Sequence, residues 1–232
     1  MTKVFIRAIK RVLISALYKL DKNGELVFFA KSILGKVEVP KGSMSGDELS
    51  KKLIQFSEGK KVLEFGSGGS TFIFAEHCEA LTSIESDFLY AKKVKKRLKN
   101  FENVKVLWVN IGPTKSYGQP IKKLRRFFRK KWREYPKFLW AKQSKNLDLV
   151  FIDGRFRVWV AINCFLNIES EFIIVFDDYF SRNEYHFVEN FLGQPSERIN
   201  DSAVFQIRNM SERIPISFEA LEGLEDYGYD FR

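Results

Sequence analysis

The chain is short of the residues that several common kinds of site require. Its 232 residues include two cysteines and two histidines. Cys78 and Cys164 lie far apart in apolar surroundings, which reads as two buried thiols and leaves neither a disulfide framework nor a cysteine-histidine metal knuckle. Long apolar runs are lacking as well. No stretch approaches the roughly 18 uncharged residues that span a bilayer, and the apolar N-terminus is broken by Lys10 and Arg11, which the core of a secretory signal does not tolerate. A reducing cytoplasm is the expected setting, with attachment to the periphery of the inner membrane as the alternative. Internal repeats and low-complexity linkers are missing too. What remains is a globular composition, 45% hydrophobic and 15% aromatic with 23 phenylalanines. That is enough chain for one α/β domain with a sizeable core and a small extension.

Acidic charge is scarce in one place only. Between Pro113 and Lys145 there are twelve Lys or Arg and one acid, Glu134, a net +11, whereas the rest of the chain holds 27 basic and 28 acidic residues and sums to −1. The excess of +10 therefore belongs to a single insertion, 113–145. Residues 1–44 form an extension in which "KVFIRAIKRVLISALYKL" sets Val4, Phe5, Ala8, Ile9, Val12, Leu13, Ala16, Leu17 and Leu20 on one helical stripe, with cations on the rest. That stripe packs on the domain, on a second copy in a homo-oligomer, or on an anionic membrane surface. An acidic tail, 210–232, closes the chain.

Residues 45–209 read as the domain proper. After the helix in "GDELSKKLIQFSEG", short apolar strands alternate with helices: "KVLEF", "ALTSIES", "VKVLWVNI", "LDLVFIDG" and "FIIVFDD" are the strands. Such strands, apolar on both faces, indicate a parallel sheet covered by helices on each side. A last helix, "NEYHFVENFL", is followed by "ERIN" and "AVFQIRN" around a turn, which predicts an antiparallel C-terminal hairpin. The fold class is thus α/β: a mostly parallel, doubly wound, seven-stranded sheet.

In an open parallel sheet ligands lie beyond the carboxyl ends of the strands, where strand order reverses. The first strand ends there in Glu64-Phe65-Gly66-Ser67-Gly68-Gly69-Ser70-Thr71. Glycines let the backbone turn tightly and let a ligand approach, and the helix that follows offers unpaired N–H groups. A dinucleotide fingerprint needs a third glycine where this chain has Thr71, which disfavours a nicotinamide cofactor. Nineteen residues after Gly66, the second strand ends at Glu85, placed to accept the hydroxyls of a ribose. "VLEFGSGGST" with "SIES" resembles motifs I and II of class I S-adenosylmethionine-dependent methyltransferases, over roughly Ser45 to Asn209. The resemblance implies a Rossmann-like methyltransferase fold with S-adenosylmethionine as methyl donor. It puts Glu64 near the methionine amino group and Gly66, Ser67, Gly68, Gly69, Ser70 and Thr71 along the methionine and ribose. Glu85 and Ser86 would hold the ribose, and Asn110 and Ile111 would border the adenine. The turn G-S-G-G-S-T departs from the commoner G-x-G-x-G of that family.

The fourth and fifth strands end in Asp153 and in Asp177-Asp178. Carboxylates gathered on one rim repel unless a cation or a proton lies between them, which suits a hard divalent ion such as Mg2+ with Asp153, Asp177 and Asp178 as ligands. The arrangement resembles catechol and macrocin-type sugar O-methyltransferases, with Asp178 where the catechol enzymes carry Asn. The alternative is that these acids cap helices and hold backbone groups. Asp153 also reaches the cofactor side of the rim, and Asp153, Asp178 and His186 are the candidate bases for a hydroxyl acceptor. His186 has a structural imidazole as its alternative. Arg155, Tyr179 and Arg182, with Arg157 between them, are candidates to hold the acceptor, a small molecule or glycan. "IDGR" lacks the D/N-P-P-Y/F motif of amino-group methyltransferases of nucleic acids, so an oxygen acceptor is expected. The insertion interleaves Phe127, Phe128, Trp132, Tyr135, Phe138 and Trp140 with its cations, a pattern that suits RNA, a phospholipid surface or a charged glycan. An RNA-directed enzyme or RNA-binding protein, and a non-catalytic protein of the same fold, therefore stay open beside an O-methyltransferase.

Overall fold

A computed structural model describes residues 46–121, 124–137 and 146–213. The N-terminal stripe, Phe138, Trp140 and nearly all of the acidic tail lie outside these residues.

The described chain runs α1 (Asp47–Ser57), β1 (Lys61–Phe65), α2 (Gly69–His77), β2 (Ala80–Glu85), α3 (Phe88–Arg97), β3 (Val104–Trp108), α4 (Arg125–Glu134), β4 (Leu149–Ile152), α5 (Arg157–Asn167) and β5 (Phe172–Phe176). A 3-10 turn, Asn183–Val188, then leads into α6 (Glu189–Leu192), β6 (Glu197–Ile199) and β7 (Ser202–Ile207). The seven strands form one sheet in the order β3-β2-β1-β4-β5-β7-β6. Pairs β1-β2, β1-β4, β2-β3 and β4-β5 are parallel, and β7 lies antiparallel to both β5 and β6. Strand order reverses between β1 and β4, which puts the ends of those two strands and of β2 at the switch point.

Both faces of the sheet are covered, and β1 shows how. Leu63 and Phe65 face a core shared with α5 and α4, while Val62 faces the opposite core with Leu49, Leu53 and Phe74 of α1 and α2. All four residues after Lys61 are buried, as a central parallel strand requires. The basic insertion contributes α4, an amphipathic crossover helix. Its inner stripe at i, i+4 and i+7 is Phe128, Trp132 and Tyr135, all packed on the main core, with Trp132 and Tyr135 buried. Trp132 donates its indole N–H to the Ile111 carbonyl at 2.7 Å, and Trp159 of α5 donates to the Arg133 carbonyl at 3.2 Å. The described aromatics are thus mainly anchors beneath the cations. Tyr117, 81% exposed, and Phe127, 64% exposed, are the outward exceptions.

The helix expected at "NEYHFVENFL" is instead a 3-10 turn with a single α turn, ended at Gly193 (φ +77°). Three residues per turn places Tyr185 and Val188 on one side, and both are fully buried. This run of aromatic and β-branched residues has little helix propensity to oppose that packing. Among the described residues no helix is long and apolar enough to cross a membrane.

Candidate functional site

The glycine turn after β1 is made of two unlike halves. Gly66 has φ +99°, and a Cβ there would sit 2.6 Å from the Gly154 backbone nitrogen. A Cβ on Gly154 would in turn meet the Gly66 nitrogen at 2.9 Å. The two glycines let the turns after β1 and β4 touch. Gly68 is different: its backbone is extended, and a Cβ there would meet nothing within 4 Å. The open space above it, at the N-terminus of α2, is where a ligand can lie against the backbone.

Beneath the turn, Glu64 is wholly buried. Its carboxylate accepts hydrogen bonds from Ser70 at 2.5 Å, Thr71 at 2.7 Å and Ser83 at 2.5 Å. The Thr71 hydroxyl also accepts from the Gly68 amide at 2.7 Å, and Ser67 and Ser83 share a 2.7 Å hydrogen bond. Burial pushes Glu64 up from an ordinary 4.5 to about 7 against the pull of these donors. Glu64 therefore stands under the turn and fixes its shape, where the sequence reading put it beside a ligand. Thr71, which replaces the third glycine of a dinucleotide fingerprint, links that buried acid to the Gly68 amide. The sequence held a signal for this web: Ser83 and Glu64 are register partners, each polar within an apolar strand.

Glu85 ends β2 with 6% exposure. One oxygen, Oε1, accepts from the Ser86 amide at 2.6 Å, the Asp87 amide at 2.7 Å and the Ser86 hydroxyl at 3.1 Å. Burial raises Glu85 to about 7, against the lowering effect of the Asp87 and Ser86 amides. The loop from Gly112 to Ile121 lies over it, a contact that the sequence reading missed. Thr114 donates to Asp87 at 2.9 Å, and the Gly118 carbonyl accepts from Ser86 at 3.2 Å. Gly118 (φ +66°) leaves no room for a side chain, since its Cβ would collide with the Ser86 hydroxyl. Asn110 accepts from the Gly112 amide at 2.9 Å and lines an open groove of about 400 Å³ with Trp108, Lys130 and Lys131. Ile111, expected beside an adenine, is instead 1% exposed in the core under α4.

The rim acids are gathered as the sequence predicts, but the cation among them belongs to the protein. Oxygens of Asp153, Asp177 and Asp178 lie within 4.8 Å of one another. Arg157, 2% exposed, donates to Asp153 at 2.8 Å and to the Asp177 carbonyl at 2.6 Å, and its guanidinium is 3.2 Å from Asp178. Arg182 meets the same Asp178 oxygen at 2.7 Å and donates to the Tyr185 hydroxyl at 2.7 Å. Asp177 accepts from Ser202 at 2.6 Å. A divalent ion would have to displace a buried guanidinium that already pairs with the Asp153 and Asp178 carboxylates, so these residues do not fit Mg2+. Asp178 adopts φ +54° and Phe156 φ +57°, left-handed conformations that flank the arginine network.

Other candidates stand elsewhere. Tyr179 is fully buried, its hydroxyl bonded to Glu189 at 2.8 Å and its ring against Phe176 and Phe205, so it anchors β5 and does not face the rim. His186 stacks on Tyr179 at 4.9 Å, and its ring partners are Tyr179 and Phe180, not a rim carboxylate. Arg155 is only 7% exposed, which places it under the rim. Asp153, with 41% of its side chain exposed, is the rim acid beside the Gly66–Gly154 contact.

No family model matches the chain, and no curated protein does. Among solved structures it is similar to a methyltransferase-like protein from Silicibacter pomeroyi, with 31% identity over 82% of this chain and 98% of that one, at a TM-score of 0.72. It is also similar to the N-methyltransferase NodS from Bradyrhizobium japonicum, at 14% identity over 70% of this chain and 96% of that one, with a TM-score of 0.48. The second likeness is too low to carry an argument.

Proposed function

Because the chain belongs to the family of that methyltransferase-like protein and has its class I fold, we propose that it transfers a methyl group from S-adenosylmethionine to an oxygen of a small molecule or sugar, without a metal. The observation that carries the reading is the pairing of an open glycine at the head of α2 with a buried acid at the end of β2, Gly68 and Glu85. The residues fit an adenosyl ligand. Glu85 commits Oε1 to its own turn, which leaves Oε2 for ribose hydroxyls. Gly68 leaves the backbone bare for the amino-acid part, and the sulfonium, when bound, supplies an activated methyl group.

Methyl transfer is an in-line displacement, so the protein's work is to hold two reactants in line and to take a proton from the acceptor. Asp153 is suited to the second task. Its Oδ1 is held by Arg157 while its side chain stays accessible at the β4 end, next to the glycine turn. Arg157 acts through Asp153, fixing its orientation. Asp178, shared by two arginines, is less available as a base.

A second reading rests on α4. Its outer face presents Arg126, Lys130 and Lys131 with Phe127, a surface that suits an anionic polymer such as RNA as methyl acceptor. Incubation with methyl-labelled S-adenosylmethionine and separated cell fractions distinguishes the readings. Label in small molecules or glycans, unchanged by chelator, supports O-methylation; label in RNA supports the second reading. A protein that labels neither fraction is not the enzyme proposed.

A further inference from the structure

Four large aromatic side chains are exposed among the described residues: Phe88, Trp108, Tyr117 and Phe127. Apolar side chains scattered singly over a surface call for no explanation, but these four are linked at one corner of the fold, around the end of the edge strand β3. Phe88 opens α3 and meets the ring of Trp108, which ends β3, edge to face at 4.9 Å. The Trp108 indole donates to the Ser86 carbonyl at 3.1 Å, which holds the half-exposed ring in place. Tyr117 is tied to the same residue, since it precedes Gly118, whose carbonyl accepts from the Ser86 hydroxyl. Its φ of +59° is a conformation that a tyrosine rarely adopts, and it carries the most exposed ring of the four. Cations stand between the rings. Trp108 lines the groove beside Asn110 together with Lys130 and Lys131, and Glu134 is the one acid lining it. Phe127 lies one helical turn before those lysines, with the Arg126 guanidinium 4.6 Å from its ring centre.

We propose that this corner, with the Phe88–Trp108 pair at its centre, binds single-stranded RNA. Exposed rings set among cations let bases stack on aromatic faces while lysines and arginines meet phosphates. Unpaired bases are what RNA loops and ends offer and what duplex DNA withholds. A membrane does not fit the same surface, because the apolar stripe of α4 is already packed on the main core and leaves the helix no hydrophobic face to insert. The surface extends beyond α4 to β3 and α3 and needs no methyl transfer. Binding is measured without S-adenosylmethionine, so it can fail while either methyl-transfer reading stands.

Fluorescence anisotropy is measured on the full-length protein with a labelled single-stranded RNA of about ten nucleotides, and with the same strand annealed to its complement. Phe88→Ala and Tyr117→Asn alter exposed rings, and asparagine tolerates a left-handed backbone, so both variants are expected to melt near the wild-type temperature. Each is expected to bind the single strand about tenfold more weakly, the loss of one stacking platform. Replacing Lys130 and Lys131 together by Gln should flatten the dependence of log affinity on log salt by about 0.7 for each lysine. No binding by the wild type at low salt overturns the proposal. So does a duplex bound as tightly as the single strand, or wild-type affinity in both ring variants, since either leaves only charge attraction. Association with phosphatidylglycerol vesicles in place of RNA would assign the surface to a membrane and overturn it as well.

Discussion

Gly66 and Gly68 lie two positions apart in one turn, yet the space around each assigns it a separate task. At Gly66 a side chain would drive into the backbone of the β4 turn at 2.6 Å while the residue holds a positive φ. Gly66→Ala is therefore expected to lower stability by roughly 3 kcal/mol or more, the scale of overpacking combined with left-handed strain. Gly68→Ala has room and an extended backbone, so its melting temperature should stay at the wild-type value while S-adenosylhomocysteine affinity falls, because the methyl group would occupy the ligand's approach. Denaturant unfolding and calorimetry on the two variants check the contrast. If both lose stability alike, the division of roles is wrong. Thr71 illustrates the same point about the limits of a motif. Its presence disfavours a dinucleotide by pattern, but only the structure shows it holding the Gly68 amide and Glu64 together.

At the scale of elements, the turns after β4 and β5 are joined by the arginine at the start of α5. Arg157 reaches the Asp153 and Asp177 carbonyls and the Asp153 and Asp178 carboxylates from a buried position. Removing one partner from a buried charge network typically costs about 3–5 kcal/mol, because the remaining charges are left uncompensated. Arg157→Met is expected to destabilise the protein on that scale. In the wild type, millimolar Mg2+ or a chelator should not move the melting temperature. A stabilising shift with Mg2+ would contradict the account of the rim. The sequence brought three acids to one rim and suggested a cation or a proton between them, with Mg2+ as the candidate. It did not show Arg157 among them, because Arg157 follows the left-handed turn at Phe156 and residue pattern does not report that conformation.

Across the whole molecule, the parallel sheet, a switch point at the end of β1 and the closing hairpin were legible from apolar strands and turn residues, whereas β4 as the neighbour of β1 is read from the structure. The distribution of aromatics was not. Phe127 and Phe128 are neighbours in a basic run, and only the phase of α4 against the sheet decides which of them faces water. Tyr179 was misread for the related reason that a strand-end tyrosine can turn outward to a ligand or inward to Phe176 and Phe205.

A further whole-molecule property follows from the two buried glutamates. Glu64 and Glu85 each move from an ordinary 4.5 to about 7 on folding. Between those values the folded chain binds more protons than the unfolded chain, so their contribution lowers stability as pH rises from about 4.5 to about 7 and levels off above it. Each contributes at most roughly 3 kcal/mol across that window. Urea unfolding as a function of pH should show a shallower decline in Glu64→Gln than in the wild type. An identical slope would mean that Glu64 ionises normally inside the fold.

The proposed methyl donor requires that Glu85 and the turn at Gly68 hold an adenosyl ligand. Calorimetric titration of the wild type and Glu85→Ala with S-adenosylhomocysteine tests it most directly. Saturable one-to-one binding by the wild type is expected, with a loss of at least about tenfold in the variant, where ribose hydroxyls lose their carboxyl partner. Absence of binding by the wild type at millimolar ligand, or equal affinity in the two proteins, would contradict it.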